Sequence, residues 1–247
     1  MNFSIAECRN CGETMIQDYV PVQTECDICG KDIITNFVCP NGHHMCNDCR
    51  YEGVLDDIKR ICMHTKSKNP VSIAVEVMAT TKLSLIGCKH YLLSPISIYT
   101  AYKNAGGKVN DFEGTLEKIY NRVMTIQTSQ CRLGNVCGIP SSIGGAFQAA
   151  NVENKAIYEI NKIANDISGL CMTKLMNPNW NGSRDCCIRN ALICTAVTAK
   201  YLNNYYWIEL ELPSEIKCRF SEGNPRCNKE KCSVYNGIKL DKLQRVK

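Results

Sequence analysis

The sequence predicts a mainly α-helical fold in two parts, a small cysteine-rich module at residues 1–65 and a helical cysteine-rich domain at 66–247. Two observations support this division. The first part carries eight of the 18 cysteines and three of the four histidines but few large apolar residues, so it cannot build an apolar core alone. From Asn69-Pro70 onward, apolar residues recur at the spacing of amphipathic helices.

Helix starts and stops divide the second part into elements. Ser94-Pro95 is typical of a helix start, with serine as N-cap and proline at the first helical position, and Gly106-Gly107 is expected to end that helix. Asp111 is predicted to cap the next helix. Further helices are predicted over 142–150, 153–176 and 186–204, and one strand over 205–212, where apolar and polar residues alternate.

Composition and charge exclude several classes of protein. The first residues lack the basic and apolar regions of a secretory signal, and no apolar run is long enough for a membrane span, so we expect a cytoplasmic protein without membrane contact. Thiols stay reduced there, and paired cysteines are usually metal ligands. The formal net charge of +5 would be offset by metal–thiolate sites, and no dense basic run is present, so charge does not predict nucleic-acid binding.

Eight residues of metal-ligand type stand at close spacing in the first part. In chain order they are Cys8, Cys11, Cys26, Cys29, Cys39, His43, Cys46 and Cys49. A gap of two residues lets both thiolates of a pair point at one ion. The stretch 26–49 resembles the ligands of RING-type and treble-clef zinc modules, in which the first and third pairs share an ion. The resemblance implies one zinc ion held by Cys26, Cys29, Cys46 and Cys49.

Cys39 and His43 then remain for a second zinc ion, and they need two more ligands. Two pairs could complete the set: Cys8 and Cys11 upstream, which we favour, or Cys62 and His64 downstream. A RING would take a downstream pair at the usual spacing, which is lacking, so a ubiquitin-ligase role is not predicted. A helix over 51–61 is expected to follow directly on Cys46 and Cys49. Four ligands fill a tetrahedral zinc site, so this module should be a scaffold that can also dock a protein partner.

The second part carries its cysteines at wider spacing. They are Cys131 and Cys137 before a glycine-rich turn, the contiguous Cys186 and Cys187 at a predicted helix start, and the trio Cys218, Cys227 and Cys232. Wide spacing in polar turns suits a cluster held by loops from distant parts of the chain, as iron–sulfur clusters often are. Zinc is the alternative metal. Cys194 lies on an apolar helix face and is expected to be a core residue.

Five segments follow in the order of a known family: CPNGHHMCNDC, IGCKHYLLSPISIYTAYKNAGG, CRLGNVCGIPSSIGGAF, GSRDCCIRNAL and CRFSEGNPRCNKEKC. Together they resemble a cysteine-rich domain of unknown function found mainly in methanogenic archaea and strictly anaerobic bacteria. The family's motif positions fall on His90, Cys131, Cys137, Cys186, Cys187, Cys218, Cys227 and Cys232. The chain departs from the family's motifs at two places. Lys89-His90-Tyr91 stands where family members often have a Glu-His-His run, and Gly182-Ser183-Arg184-Asp185 stands where they often have a Gly-Pro-Arg lead into the double cysteine. The resemblance implies a metalloprotein of anaerobic metabolism.

Shorter fragments, IGCKH, CGIPSSIGGA, ISGLC and GSRDCCIRNA, are similar to iron–sulfur L-serine dehydratases and archaeal L-cysteine desulfidases. That likeness implies a [4Fe–4S] cluster with three cysteine ligands, here Cys137, Cys171 and Cys187, and one iron open to a substrate. Cys88 would be a thiol base, and His90 is a second catalytic candidate.

The sequence therefore leaves three functions open. The leading hypothesis is an accessory protein whose cluster serves electron transfer, cluster delivery or the maturation of another enzyme. The second is a cluster-dependent lyase or sulfur-handling enzyme acting on a small amino or hydroxy acid. The third is a zinc-only adaptor for a protein or a nucleic acid. The substrate or client and the oligomeric state do not follow from the sequence.

Overall fold

The computed structural model describes residues 8, 10–50, 52–80, 90–126, 136–151, 156–206, 208–222, 224 and 226–240. The chain divides into two compact units, residues 1–55 and 56–247. The predicted fold class, mainly α with a cysteine-rich module at the N-terminus, is confirmed. Within the described ranges no helix has the length and apolar character needed to cross a membrane. Cys88 and Cys131 lie outside these ranges.

A β-hairpin forms the frame of the first unit. Strand β1 (Ile16–Glu25) pairs antiparallel with β2 (Asp32–Val38), with Ile16 opposite Val38 at one end and Glu25 opposite Asp32 at the other. The register shifts once, between Gln17 and Val22. Pro21 lies within this shift, where a residue that cannot donate a hydrogen bond to the ladder is tolerated.

Two helices follow the hairpin where one was predicted. Helix α1 (Asn47–Arg50) is short, and α2 (Val54–His64) begins after a turn. The prediction of one helix over 51–61 is therefore wrong at its start. Gly53 in the turn has a φ of 75°, a left-handed conformation that interrupts a right-handed helix.

The second unit is a set of helices packed around one central helix. It contains α3 (Pro70–Thr80), α4 (His90–Asn104), α5 (Phe112–Met124), α6 (Gly138–Ala150), α7 (Ile157–Leu175), α8 (Cys187–Tyr206) and the short α9 (Ser233–Asn236). Helix α8 packs against α3, α4, α6 and α7, and every residue over 188–199 is buried. A helix buried on all sides forms the centre of a core.

A short antiparallel pair lies in the C-terminal segment. Strand β3 (Glu215–Ile216) pairs with β4 (Ile238–Lys239), and a 3₁₀ turn covers Lys229–Lys231. The segment 214–240 is therefore folded back on itself, which brings its three cysteines into one compact region.

Several predicted helix boundaries are confirmed by their hydrogen bonds. The Asp111 carboxylate accepts the N–H of Gly114 at 2.9 Å and caps α5. The Asn69 side chain accepts the N–H of Val71 at 3.0 Å, at the position where the helical pattern was expected to begin. Helix α4 ends at Asn104, just before the predicted glycine stop. These caps use local hydrogen bonds, which makes them visible in sequence.

The predicted helix start at Ser94-Pro95 is wrong, because Pro95 lies inside α4. Proline has no N–H to donate to the carbonyl of Tyr91, four residues earlier. The buried hydroxyl of Ser142, on α6, lies 2.7 Å from that carbonyl and 2.7 Å from the carbonyl of Ile139, so its one proton is available to either. A side chain from another helix can thus replace the missing backbone donor.

The strand predicted over 205–212 is also wrong. Tyr205 and Tyr206 form the end of α8, and residues 208–213 belong to no strand. The side chain of Asn203 accepts the N–H of Leu210 at 3.0 Å and donates to its carbonyl at 2.8 Å. One amide thereby satisfies the backbone groups that a partner strand would have paired.

We expect Ser142→Ala to lower the free energy of unfolding by about 1–3 kcal/mol, because the buried Tyr91 carbonyl loses its hydroxyl donor. The measurement is urea denaturation of the full chain, followed by far-UV circular dichroism. The exposed neighbour provides a matched control, since Ser141→Ala should change stability by less than about 0.5 kcal/mol. Equal effects of the two substitutions would contradict the role assigned to Ser142.

Candidate metal centres

Two cysteine turns of the same pattern precede β1 and β2. The sequence reads Cys-x2-Cys-Gly at 8–12 and again at 26–30. In each turn the glycine N–H donates to the carbonyl of the first cysteine at 2.8 Å. Gly12 and Gly30 have φ values of 76° and 69°, a region that other residues enter only with strain. A glycine directly after the second cysteine thus marks both turns, a signal in the sequence that was not used in predicting the metal sites.

Four ligand atoms converge at the open end of the hairpin, from Cys8, Cys11, Cys39 and His43. The Sγ atoms of Cys11 and Cys39 lie 3.5 Å apart. The Nδ1 atom of His43 lies 3.7 Å from the Sγ of Cys8 and 3.6 Å from that of Cys39. The structure therefore gathers the upstream cysteine pair with Cys39 and His43.

A second set lies at the turn end of the hairpin, where Cys26 follows β1. Its members are Cys26, Cys29, Cys46 and Cys49. The Sγ atoms of Cys29 and Cys46 are 3.7 Å apart. Counted along the chain, the first ligand pair meets the third and the second meets the fourth. The two sets are thus interleaved in sequence and separated by the length of the hairpin.

Both sets have the dimensions of a tetrahedral zinc site. A Zn–S bond of about 2.3 Å places two thiolates on one ion about 3.8 Å apart. The distances between ligand atoms, 3.5 to 3.7 Å, are close to that value. Four thiolates, or three thiolates with one imidazole, are common ligand sets of structural zinc. These residues could each hold one metal ion, and they fit zinc.

Local hydrogen bonds favour the thiolate form of one cysteine in each set. The backbone N–H of Cys46 donates to the Sγ of Cys26 at 3.2 Å, and this bond lowers the pKa of Cys26 to about 6. A backbone bond from Glu13 similarly lowers the pKa of Cys11 to about 6, and the Asn41 amide donates to the same sulfur at 3.4 Å. Thiolates are the metal-binding form of cysteine.

The alternative pair, Cys62 and His64, lies in different surroundings. Cys62 is fully buried on α2, and burial raises the pKa of its thiol to about 11. The Nδ1 atom of His64 lies 2.7 Å from the carbonyl of Arg60 in the same helix. Neither residue belongs to the two ligand sets.

A third group of cysteines lines a small cavity at the start of α8. Its members are Cys186, Cys218, Cys227 and Cys232. Cys186 directly precedes the helix, and the other three come from the C-terminal segment. That segment is held in place by backbone bonds, from Cys218 to the carbonyl of Val234 at 2.9 Å and from Ser233 to that of Asn181 at 3.0 Å. We call this group the α8 pocket.

N–H groups donate to three sulfur atoms of the α8 pocket. The pairs are Asn224 Nδ2 to Cys186 at 3.5 Å, Phe220 N to Cys218 at 3.4 Å and Lys229 N to Cys227 at 3.3 Å. Such bonds stabilise negative charge on sulfur. Burial has the opposite effect, since it raises the pKa of Cys186 and raises that of Cys218 to about 11. A bound cation would therefore be needed to hold these groups as thiolates at neutral pH.

The sulfur atoms of the α8 pocket are spread more widely than those of a single-ion site. Among the described residues, only the two N-terminal sets bring three or more ligand atoms within 4.8 Å of one another. A single zinc ion would need all four sulfurs about 3.8 Å apart. In a polynuclear cluster each cysteine binds a different iron, which places the sulfurs farther apart. Four cysteines spaced more widely than the ligands of one ion are a donor set that a polynuclear cluster could use.

Arg189 also lines the α8 pocket, and it was not predicted as a site residue. Its side chain is only 2% exposed. The Nη2 group donates to the carbonyl of Trp180 at 2.7 Å and Nη1 to the Oδ1 of Asn190 at 2.9 Å, while Nε has no partner in the structure. The sequence does contain a hint of this residue, because Arg189 is a lone charge within the buried run 188–199.

Cys137 and Cys187, the other predicted ligands that the structure describes in this region, are not among the residues that line the α8 pocket. Cys137 directly precedes α6, and its sulfur accepts the side-chain N–H of Asn190 at 3.5 Å. Cys187 is the first residue of α8, and its thiol points to the carbonyl of Asp185 at 3.9 Å. His90, a catalytic candidate, begins α4 and is 1% exposed. Metal binding by Cys137 and Cys187 stays a prediction.

Cys171 and Cys194 are packed between α7 and α8. Both side chains are fully buried, which confirms the core position predicted for Cys194. The Sγ of Cys171 lies 3.4 Å from the hydroxyl of Thr198 and 3.7 Å from the carbonyl of Cys194. Cys171 therefore lies among core side chains, in surroundings typical of a buried structural cysteine.

The fold and the cysteine sets define a helical protein with two candidate metal sites in an N-terminal module. Residues 58–235 match DUF5714, a family of unknown function, and the chain belongs to that family. Comparisons with curated proteins and with solved structures gave no match. All four cysteines of the α8 pocket lie inside the matched range, whereas all eight N-terminal ligands precede it. The α8 pocket is thus part of the family domain, and the N-terminal module is outside it.

We expect Cys8→Ala to reduce the zinc content of the purified chain by about one ion, because a tetrahedral site loses one of its four ligands. The measurement is elemental analysis of the full-length protein by mass spectrometry. Cys62→Ala is the matched control and should leave the zinc content at the wild-type value. Loss of zinc in the Cys62 variant, or none in the Cys8 variant, would assign the second site to the downstream pair.

Proposed function

We propose that the chain is a cytoplasmic iron–sulfur protein of anaerobic metabolism. In this proposal the N-terminal module holds two structural zinc ions, and the α8 pocket holds a [4Fe–4S] cluster. The protein acts as an accessory to another enzyme, in electron transfer, cluster delivery or maturation.

One observation carries this proposal. Four cysteines from separate parts of the family domain line a single cavity, with sulfur atoms too widely spaced for one zinc ion. One N–H group donates to each of three of those sulfurs. Such hydrogen bonds are usual around iron–sulfur clusters, where they tune the reduction potential.

The number of ligands favours an accessory role over a lyase. Four cysteines can occupy every iron of a [4Fe–4S] cluster, whereas Lewis-acid catalysis needs one iron free for the substrate. The lyase alternative relies on Cys137, Cys171 and Cys187. Cys171 is packed into the core beside Thr198, so this set has less support than the α8 pocket.

Partial exposure supports electron exchange with a partner. Cys186 and Cys232 are buried, while Cys218 and Cys227 are partly exposed. The pocket thus reaches the protein surface on the side of the C-terminal segment. An electron could pass from there to a docked protein without crossing the helical core.

A protein partner for the N-terminal module is also part of the proposal. The hairpin carries apolar side chains at the surface, and Val20 and Ile34 are exposed by 69% and 77%. These side chains are available for contact with a protein partner.

Anaerobic reconstitution of the full chain with iron and sulfide should yield about four iron atoms per chain. We expect Cys232→Ala to lower the iron content, because the pocket loses a ligand. Cys194→Ala, which removes a core thiol of α8 outside the pocket, should keep the wild-type iron content. The measurement is iron and sulfide analysis with electron paramagnetic resonance of the reduced protein.

Binding of zinc alone, with no iron in the wild-type chain, would overturn the cluster proposal. A resonance spectrum that changes when serine or cysteine is added would favour the lyase over the accessory role. An unchanged spectrum supports electron transfer or cluster delivery.

A further inference from the structure

We infer that Arg189 is the buried counter-cation of the α8 pocket and raises the reduction potential of the centre bound there. This inference rests on the proposed function and adds a residue that neither the cysteine motifs nor the family match indicates. Arg189 is a positioning and tuning residue, since its action is exerted through charge and not by metal ligation.

Burial is the first step of the argument. A guanidinium that is 2% exposed has lost most of its hydration, and this loss costs several kcal/mol unless negative charge or hydrogen bonds replace the water. Two hydrogen bonds to neutral oxygens, on Trp180 and Asn190, supply part of that replacement. The Nε group has no partner in the structure.

The second step is that ordinary ion pairing does not provide the missing negative charge. In the described part of the chain, ion pairs are formed by Lys31, Lys59 and Arg60, and none by Arg189. Among the described residues that line the cavity with Arg189 there is no carboxylate, whereas four cysteines are present. The buried charge is therefore balanced only when those sulfurs carry negative charge.

The third step is the short distance between the guanidinium of Arg189 and the sulfur of Cys232, which the position of Gly182 limits. A β-carbon on Gly182 would lie 2.9 Å from the Nε of Arg189 and also 2.9 Å from the Sγ of Cys232. The two atoms are thus separated by at most twice that distance. At such separations in a buried site, charge interactions are much stronger than in water.

The effect on the centre follows from its charge. A tetrathiolate iron–sulfur centre is an anion, and its reduction adds one more negative charge. A fixed positive charge nearby stabilises the reduced form more than the oxidised form. Arg189 therefore raises the potential, and removal of its charge should lower it.

The test compares Arg189→Met with Arg189→Lys in the full chain, reconstituted anaerobically with iron and sulfide. Lysine keeps the positive charge but loses the planar pair of hydrogen bonds, while methionine loses both. We expect the methionine variant to contain at least about tenfold less reduced centre at a given solution potential, equivalent to about 59 mV for one electron. The lysine variant should stay close to the wild type. Far-UV circular dichroism checks that both variants are folded.

A purely structural role predicts that the two variants behave alike, because both lose the bonds to Trp180 and Asn190. Equal potentials in the two variants would overturn the inference while leaving the proposed function intact. If the methionine variant does not retain iron, the iron contents of the two variants are compared instead. Loss of iron in both variants would count against a role for the charge of Arg189. A wild-type chain that takes up no iron contradicts the proposed function itself, and the inference with it.

Discussion

The positive charge of Arg189 is buried at the start of the central helix and has to be balanced by negative charge or hydrogen bonds. This requirement links the core of the second unit to the α8 pocket. Helix α8 fills the middle of the domain, and its first turns carry Arg189 among apolar residues. The segment 214–240 folds over this region and brings three thiols to the guanidinium. Apolar packing positions the helix. In the inference made above, the sulfurs of the α8 pocket supply the negative charge that balances the buried guanidinium.

The two units differ in what stabilises them. The second unit buries aliphatic side chains on six long helices. In the first unit the buried apolar residues include cysteines of the ligand sets themselves, with Met15 between Cys8 and Cys39 in one cluster. If these sets hold metal ions, folding of this unit would be coupled to metal binding, as it is in small zinc modules. Metal removal would affect the units to different extents.

Local features could be predicted from the sequence, and long-range ones could not. Ligand pairs two residues apart and the Asp111 cap depend on neighbours in the chain, so their spacing is enough to recognise them. Pro95 was misplaced because its compensating donor, Ser142, lies 51 residues beyond the Tyr91 carbonyl that it serves. The α8 pocket was only partly predicted. Its cysteines stand out in the sequence, but the proximity of Arg189 to them arises only when the C-terminal segment folds back.

The position of the two N-terminal ligand sets at opposite ends of one hairpin has a thermodynamic consequence. An ion bound at either end closes the loop and holds the two strands in register. The site at the other end then has less chain entropy to lose when its own ion binds. The second ion then binds to a hairpin that is already ordered. Coupling of this kind needs no contact between the sites, since the shared strands transmit it. The module should therefore fill cooperatively, with few chains that carry a single ion.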